Sequence, residues 1–391
     1  MGKGFLFISN DSKGTREQEL SLEPIKTGSF EAPCIFAANK LGLRLYKGIN
    51  RIKADSVKSI DYDITYYYQH IYRSIFNIKD IRIGYNNLCD FLKTHPDVDV
   101  IHCNTPIGGV LGRLCGKKYN KKVIYTAHGF HFYKGAPLLN RTVFKWIEMA
   151  LAHYTDALIT INKEDYLAAQ TFKLKQNGKI YYVPGVGMNL SAFNEVKVDR
   201  SEKRASIGIP DDALIGIIVG DLNNNKNVET LIKALAESNS KVHYIICGYG
   251  PNEDSLKKLC KESMVENRCH FLGFRNDVKE LYMVSDFFLF ASKREGLPRS
   301  TMEAMACGLP CIVSKIRGNT DLIDEGKGGF LISCEDYKGF AEVINKLVDS
   351  IALRKQFGHY NTEKVKSFDL EIVKERMVDI YNEVIFDKVA K

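Results

Sequence analysis

The second half of this chain is punctuated by short runs of nearly unbroken apolar residues: LIGIIVG (214–220), VHYIIC (242–247), CHFLG (269–273), DFFLFAS (286–292), PCIVS (310–314) and GGFLI (328–332). A stretch with helical spacing follows each. A strand that is apolar at every position, not at alternate ones, has to be covered on both faces. Strands covered in this way and alternating with helices form a parallel sheet with helices on either side, the doubly wound α/β arrangement. The first half repeats the pattern, with strands expected at FLFIS (5–9), VDVIH (98–102), KVIYT (122–126), DALIT (156–160) and KIYYV (179–183) and helical spacing over 79–95, 108–119, 138–153 and 163–173.

A chain of 391 residues is too long for one ordinary core and suits two domains of roughly 150 to 200 residues. The segment 184–212 is rich in turn residues and charges and poor in periodicity, which places the boundary there. The expected organisation is an N-terminal domain over 1–190, a C-terminal domain over 191–368, and an amphipathic helix in 369–391 that has no following strand and can pack back on the first domain. The ten cysteines are scattered and none forms a C-x-x-C pair, which implies reduced thiols. Cys307 and Cys311 lack the partners of a zinc set, so no metal site is expected. The N-terminus MGKGFLFISNDS enters a strand directly, without a signal-peptide pattern, and Leu6 breaks the myristoylation pattern. No run reaches the length of a membrane span. The expected compartment is therefore the cytoplasm.

Charge separates the halves. Residues 1–190 carry 26 Lys and Arg against 16 Asp and Glu, and residues 191–391 carry 29 against 31. The basic excess of the first half either serves solubility or attracts an anionic surface, a phosphorylated substrate or nucleic acid. No nucleic-acid motif is present, which removes the last of these.

In open parallel sheets, ligands bind beyond the carboxyl ends of the strands. The segments that fall there include NDSKGT (10–15), AHGFHF (127–132), DLNNNKN (221–227), GYGPNE (248–253), FRND (274–277) and KREGLPRS (293–300). Two domains that turned these segments toward each other would enclose a cleft lined by them. The last segment opens EGLPRSTMEAMACGLP (295–310), where Glu295 precedes a helix and Glu303 lies within it.

EGLPRSTMEAMACGLPCIVSKIRGNTDLI (295–323) resembles the E-x7-E segment of retaining glycosyltransferases of the GT-B fold, family 4 or glycosyl transferases group 1. YTAHGFHFYKG (125–135), VGDLNNNKNVETLIKAL (219–235), ICGYGP (246–251) and FLGFRNDVKELYMVSDFFLFAS (271–292) extend the resemblance in register over most of 98–333. It implies two Rossmann-like domains facing a cleft. It also implies transfer of a hexose or N-acetylhexosamine from a nucleotide diphosphate sugar, UDP-linked, to an acceptor hydroxyl. In the family, the acid matching Glu295 touches the donor sugar, the acid matching Glu303 touches the ribose hydroxyls, and the histidine matching His128 faces the donor sugar. Glu295 and His128 are accordingly the expected catalytic residues. Gly14 matches the small residue where backbone passes the diphosphate, although the family's usual double glycine is absent. Gly248 and Tyr249, with Phe274 and Arg275, fall on the loops beside the base, and Gly296, Leu297, Pro298, Arg299 and Ser300 fall on the donor-binding turn.

Elementary chemistry agrees with this assignment. A sugar nucleotide offers hydroxyls that carboxylates accept from, and a diphosphate that needs positive charge. Pro298 near the first helical turn leaves the amides of about 299–301 free, and a helix N-terminus favours anions. Lys226 supplies a full charge, so neither a metal nor any other cofactor is expected. Each feature also has a plainer explanation: an acid at a helix start serves the dipole, a lysine serves the solvated surface, and a lone Gly-x-Gly makes a tight turn. Many family members have Arg where this chain has Asp221. Either Arg275 or Arg299 replaces that charge, or the helix amides carry more of the diphosphate.

YTAHGFHFYKGAP with GDLNNNKN resembles the branch that builds bacterial surface polysaccharides such as capsule. That implies a lipid-linked sugar acceptor and a peripheral position at the inner face of the membrane. ITYYYQHIYRSIF (64–76) mixes aromatics with Arg73 and His70, which suits either an anionic membrane surface or the core of the first domain. The competing readings are a GT-B sugar-nucleotide epimerase and a non-catalytic nucleotide-sugar or membrane-surface binder.

Overall fold

The computed structural model describes residues 3–8, 31–49, 63–71, 77–194 and 198–387. They form two compact units, Met1–Gly187 with Leu370–Lys391, and Met188–Asp369. Each unit is built on one parallel sheet.

The first unit holds β1 (Gly4–Ile8), β2 (Arg44–Ile49), β3 (Ile64–Tyr68), β4 (Val98–Cys103), β5 (Lys122–Ala127), β6 (Ala157–Thr160) and β7 (Lys179–Tyr182), in the order β3-β2-β1-β4-β5-β6-β7. Five of these are the expected apolar runs. Strands β2 and β3 are additions that apolar content does not mark: β2 carries Arg44 and Lys47, and β3 lies inside the aromatic stretch 64–76. Part of that stretch packs inward, since Tyr67 stacks on Phe91 with ring centroids 4.2 Å apart. Residues 72–76 of the same stretch lie outside the described residues.

The helix Leu370–Phe386 closes this unit. It buries Val373, Met377, Ile380, Tyr381 and Ile385, one face at helical spacing. The wholly buried His102 of β4 hydrogen-bonds the Tyr381 hydroxyl at 2.5 Å and Thr126 Oγ1 at 2.8 Å. At the end of the helix, Lys3 Nζ donates to Ile385 O (2.9 Å) and Lys122 Nζ to Val384 O (2.7 Å). Two lysines thus satisfy carbonyls that a helix C-terminus leaves open, at the negative end of its dipole.

The second unit holds β8 (Leu214–Val219), β9 (Val242–Cys247), β10 (Cys269–Gly273), β11 (Phe287–Phe290), β12 (Cys311–Ser314) and β13 (Gly329–Ile332), in the order β10-β9-β8-β11-β12-β13. Helices cover both faces, which explains the unbroken apolar strands. Ile218, Ile246, Phe287 and Leu289 point into one core with Leu231, Phe340 and Ile344. Ile217, Ile245, Phe288 and Phe290 point into the other with Met302, Met305 and Val313. Each such fully buried side chain contributes roughly 1.5–3 kcal/mol, so a polar residue on either face would be costly.

The strand order reverses between β8 and β11. A crevice opens at such a switch point because the connections after the two strands leave in opposite directions. In this unit the two connections are 220–227 and 291–298.

Among the described residues no helix is long and apolar enough to cross a membrane. The ten cysteines are all free thiols.

Candidate functional site

The switch point of the second unit brings Lys226 and Glu295 together from 69 residues apart. The polar turn after β8 delivers the lysine. Asn223 Oδ1 accepts from the backbone amides of Asn225 and Lys226, both at 3.0 Å. Asn227 takes the left-handed conformation at φ 55° and donates through Nδ2 to Ala291 O (3.2 Å) and Cys334 O (2.7 Å). Asparagine suits both roles, because its short amide closes local turns and tolerates that backbone region. Lys226 Nζ donates to Glu295 Oε1 at 2.8 Å and lies 4.8 Å from the centroid of the Phe290 ring.

Glu295 is held from three further directions. The Ser292 hydroxyl donates to the same Oε1 at 2.5 Å. The backbone carbonyl of Glu295 accepts from Arg317 Nε at 2.9 Å. The turn at Gly318 (φ 79°) presses against Gly296, where a Cβ on Gly318 would sit 2.5 Å from the Gly296 carbonyl oxygen. Nothing larger than glycine fits that approach in that conformation. The Glu295 carboxylate and the Lys226 ammonium are mostly covered, with side chains 15% and 22% exposed.

The helix Arg299–Ala306 begins directly after Pro298, whose extended backbone forms the cap without any side-chain acceptor. The first amides of a helix have no acceptor within it, so Arg299, Ser300 and Thr301 present donors at the positive end of the dipole. Gly296, Leu297 and Pro298 lead into this turn, with Pro298 buried and Gly296 and Leu297 half-buried. One turn further, Glu303 accepts from Arg299 Nε at 2.9 Å and lies 3.4 Å from the hydroxyl of the buried Tyr282, which also reaches Ser300 O at 3.2 Å.

The loops after β9 and β10 are stitched to the same end of the sheet. Gly248 N donates to Gly273 O (2.8 Å), and Leu222 N donates to Tyr249 O (3.0 Å). At Gly248 (φ 142°) an added Cβ would meet the Gly220 carbonyl oxygen at 1.9 Å, so the backbones after β8 and β9 touch. Tyr249 and Phe274 expose 39% and 54% of their surface, placing two aromatic rings at the rim. Arg275 is turned onto Asp277 through a two-pronged pair at 2.7 and 2.5 Å, with Lys203 Nζ 2.6 Å from the same carboxylate. Arg275 and Lys203 together hold the Asp277 carboxyl well below the usual carboxylate range.

The structure therefore gathers Lys226, Gly248, Tyr249, Phe274 and residues 295–303 at the carboxyl ends of neighbouring strands. Arg275 and Arg299 are each paired with an acid in this structure. Ser292 and Arg317 complete the setting of Glu295, and reading the sequence missed both. Arg317 had a usable signal, because it follows β12 at the same end of the sheet. Ser292 had none, since nothing local distinguishes it from other serines.

His128 belongs to the first unit, just after β5. Its Nε2 is sealed from solvent, and burial pushes the imidazole pKa down to about 4. The ring is therefore neutral near pH 7. His131 stacks on Phe144 at 5.2 Å, a packing role. Gly14 lies outside the described residues.

Chemically, the second-unit site offers a lysine cation, uncapped helix amides, two carboxylates and two exposed aromatic rings. That set matches a diphosphate, sugar hydroxyls and a base. Among the described residues, no group of three or more His, Cys, Asp or Glu is placed to hold a metal ion.

The family model described as Glycosyl transferases group 1 matches residues 199–364, and the one described as Glycosyltransferase Family 4 matches 56–184. EpsD of Bacillus subtilis (strain 168) is 34% identical over 319 residues, covering 80% of this chain and 83% of that protein. The chain belongs to the family 4 glycosyltransferases. It is a transferase of the GT-B fold. A UDP-Gal:alpha-D-GlcNAc-diphosphoundecaprenol alpha-1,3-galactosyltransferase of Escherichia coli is 28% identical over 323 residues, covering 81% of this chain and 83% of that enzyme. The crystal structure of Anabaena Alr3699/HepE in complex with UDP superposes with a TM-score of 0.76 at 19% identity, covering 98% of this chain and 100% of that one.

Proposed function

We propose that this glycosyltransferase moves a hexose or N-acetylhexosamine from a UDP-sugar to a lipid-linked sugar, with retention of anomeric configuration, in the synthesis of a surface polysaccharide such as capsule. The observation that carries the reading is the Lys226–Glu295 pair at 2.8 Å beside the uncapped helix at Arg299. A diphosphate draws on the Lys226 ammonium and the helix amides. That draw loosens the lysine from Glu295 and leaves the carboxylate to accept from donor-sugar hydroxyls. Glu303 serves the ribose hydroxyls, and the loops bearing Tyr249 and Phe274 flank the base. His128, kept neutral by burial, serves as a hydrogen-bonding group at the sugar and not as a cation.

Retention follows a front-face course in which the departing diphosphate takes the acceptor's proton. The protein's contribution is then electrostatic and positional: Lys226 and the helix amides are aimed where negative charge grows as the glycosidic bond breaks. These groups neutralise the leaving diphosphate without a metal. The lipid-linked acceptor is supported by the kinship with the Escherichia coli enzyme, and an acceptor of that kind implies work at the membrane periphery. Incubating the pure protein with a panel of UDP-sugars tests the reading. Slow UDP release supports a transferase, appearance of a new UDP-sugar indicates an epimerase, and unchanged donor indicates a binder.

A further inference from the structure

Among the described residues, the longest run of exposed large apolar side chains lies far along the sequence from the donor residues, on the segment that joins β5 to β6. A single helical rod runs from a π-turn, Asn140–Phe144, into an α-helix, Lys145–Ala152. One side faces the first unit. Phe144 stacks on His131, Glu148 accepts from the buried Arg113 at 2.7 Å and from the Tyr125 hydroxyl at 3.3 Å, and Leu151 and Ala152 are buried. The opposite side of a surface helix ordinarily carries polar residues. Here it carries Leu139, Val143 and Trp146, with 65%, 45% and 75% of their surfaces exposed, flanked by the exposed Leu138, Ile147 and Met149. Single exposed apolar residues need no explanation, but a contiguous set marks an interaction surface.

Charge identifies the partner. From residue 101 to 155 the chain has eight Lys and Arg and one acid, Glu148. That acid is turned inward onto Arg113, and Glu164, the carboxylate that reaches this segment from the next helix, is tied to the Lys134 backbone amide at 2.8 Å. Lys134 and Arg141 stand exposed on the same segment. A second copy of the chain packed on this face by two-fold symmetry would set like charges against each other. An anionic bilayer satisfies both features, accepting the apolar side chains below its headgroups and pairing the basic residues with them.

We propose that the face formed by Leu139, Val143 and Trp146 docks the protein on an anionic lipid bilayer, with the indole at the boundary between headgroups and acyl chains. The proposal rests on the lipid-linked acceptor in the functional reading and gives that reading a surface. It moves the membrane contact away from the aromatic stretch 64–76, where Tyr67 is committed to the core.

Trp146 is the chain's one tryptophan, so its emission reports this face without a label. The test adds phosphatidylcholine vesicles, with and without phosphatidylglycerol, to the full chain and follows both fluorescence and flotation. The expected result is flotation with the anionic vesicles together with a blue shift, both lost with neutral vesicles or at high salt. Replacing Leu139 and Trp146 together by serine lowers partitioning by at least about tenfold and leaves UDP binding unchanged. The pair Lys134→Glu and Arg141→Glu, both at exposed positions, does the same and retains the tryptophan. Flotation with unchanged emission overturns this surface while the membrane reading stands. No flotation overturns both. A blue shift that grows with protein concentration in the absence of vesicles overturns the lipid in favour of a second copy of the chain.

Discussion

Glu295→Gln separates the two things the Glu295 carboxylate does. Its Oε1 accepts from Lys226 at 2.8 Å and Ser292 at 2.5 Å. Glutamine keeps the shape and an oxygen for Ser292 but removes the charge that Lys226 faces. Exposed ion pairs are worth roughly 0.2–1 kcal/mol, and breaking a buried one costs about 3–5. With side chains 15% and 22% exposed, this pair falls between, and the expected loss of stability is about 1–3 kcal/mol. That lowers Tm by about 2–4 °C per kcal/mol for a unit of this size. The effect on ligands has the opposite sign. If Lys226 binds the diphosphate as proposed, Glu295 competes with it in the free protein, and the variant is expected to bind UDP as tightly as the wild type or more tightly. Turnover is expected to fall, because in the proposed reading the lost contact is to the donor sugar: about 1.5–3 kcal/mol, or roughly ten- to a hundredfold. Melting curves, UDP titration calorimetry and initial transfer rates measure the three quantities. Wild-type turnover would show that Glu295 makes no contact that the transfer needs. A loss of UDP affinity in proportion to turnover would show that Glu295 acts only by holding Lys226.

Glu303→Ala removes the carboxylate assigned to the ribose, and UDP affinity is expected to fall roughly ten- to a hundredfold; unchanged affinity in a titration would remove Glu303 from the site. EDTA is expected to leave transfer intact, because in the proposed reading Lys226 and the helix amides carry the diphosphate charge; activity restored only by magnesium or manganese would contradict this. His102 sets an acid limit on stability. Burial pushes its pKa down to about 3, whereas an unfolded histidine titrates near 6.5. As pH falls below 6.5 the unfolded chain takes up the proton first, so stability is lost progressively down to about pH 3. At pH 5 the loss is about 2 kcal/mol. Denaturant melts at pH 7.5 and pH 5 should show a gap that narrows by about that amount in His102→Gln, and an unchanged gap would mean the histidine is not held neutral.

Where burial is complete, the sequence reveals the strand. The runs at 214–220 and 286–292 are apolar at nearly every position because helices cover both faces, and β8 and β11 lie within them. β2 and β3 stand at the sheet's edge side, where Lys47 and a row of tyrosines replace aliphatic residues, and the same signal fades. The site divides in the same way. Lys226 and Glu295 were legible singly because each follows a strand, where parallel sheets bind ligands. Their contact was not legible, since 69 residues and a sheet reversal lie between them. Arg317 grips a backbone carbonyl and Ser292 a carboxylate, and such partners are chosen by tertiary placement that no local pattern encodes. The apolar face around Trp146 was hidden for a related reason. Helical spacing over 138–153 was visible, but which side of the helix the protein would cover was not.

Retaining transfer from a UDP-sugar to a lipid-linked sugar is decided by incubating the purified protein with a UDP-sugar of known anomeric configuration and a polyprenyl-diphosphate sugar, then determining the new linkage by proton NMR. The expected product is a glycosylated lipid whose anomeric configuration matches the donor's, with one UDP released per sugar transferred. An inverted linkage, or UDP release without any sugar on the lipid, would contradict it.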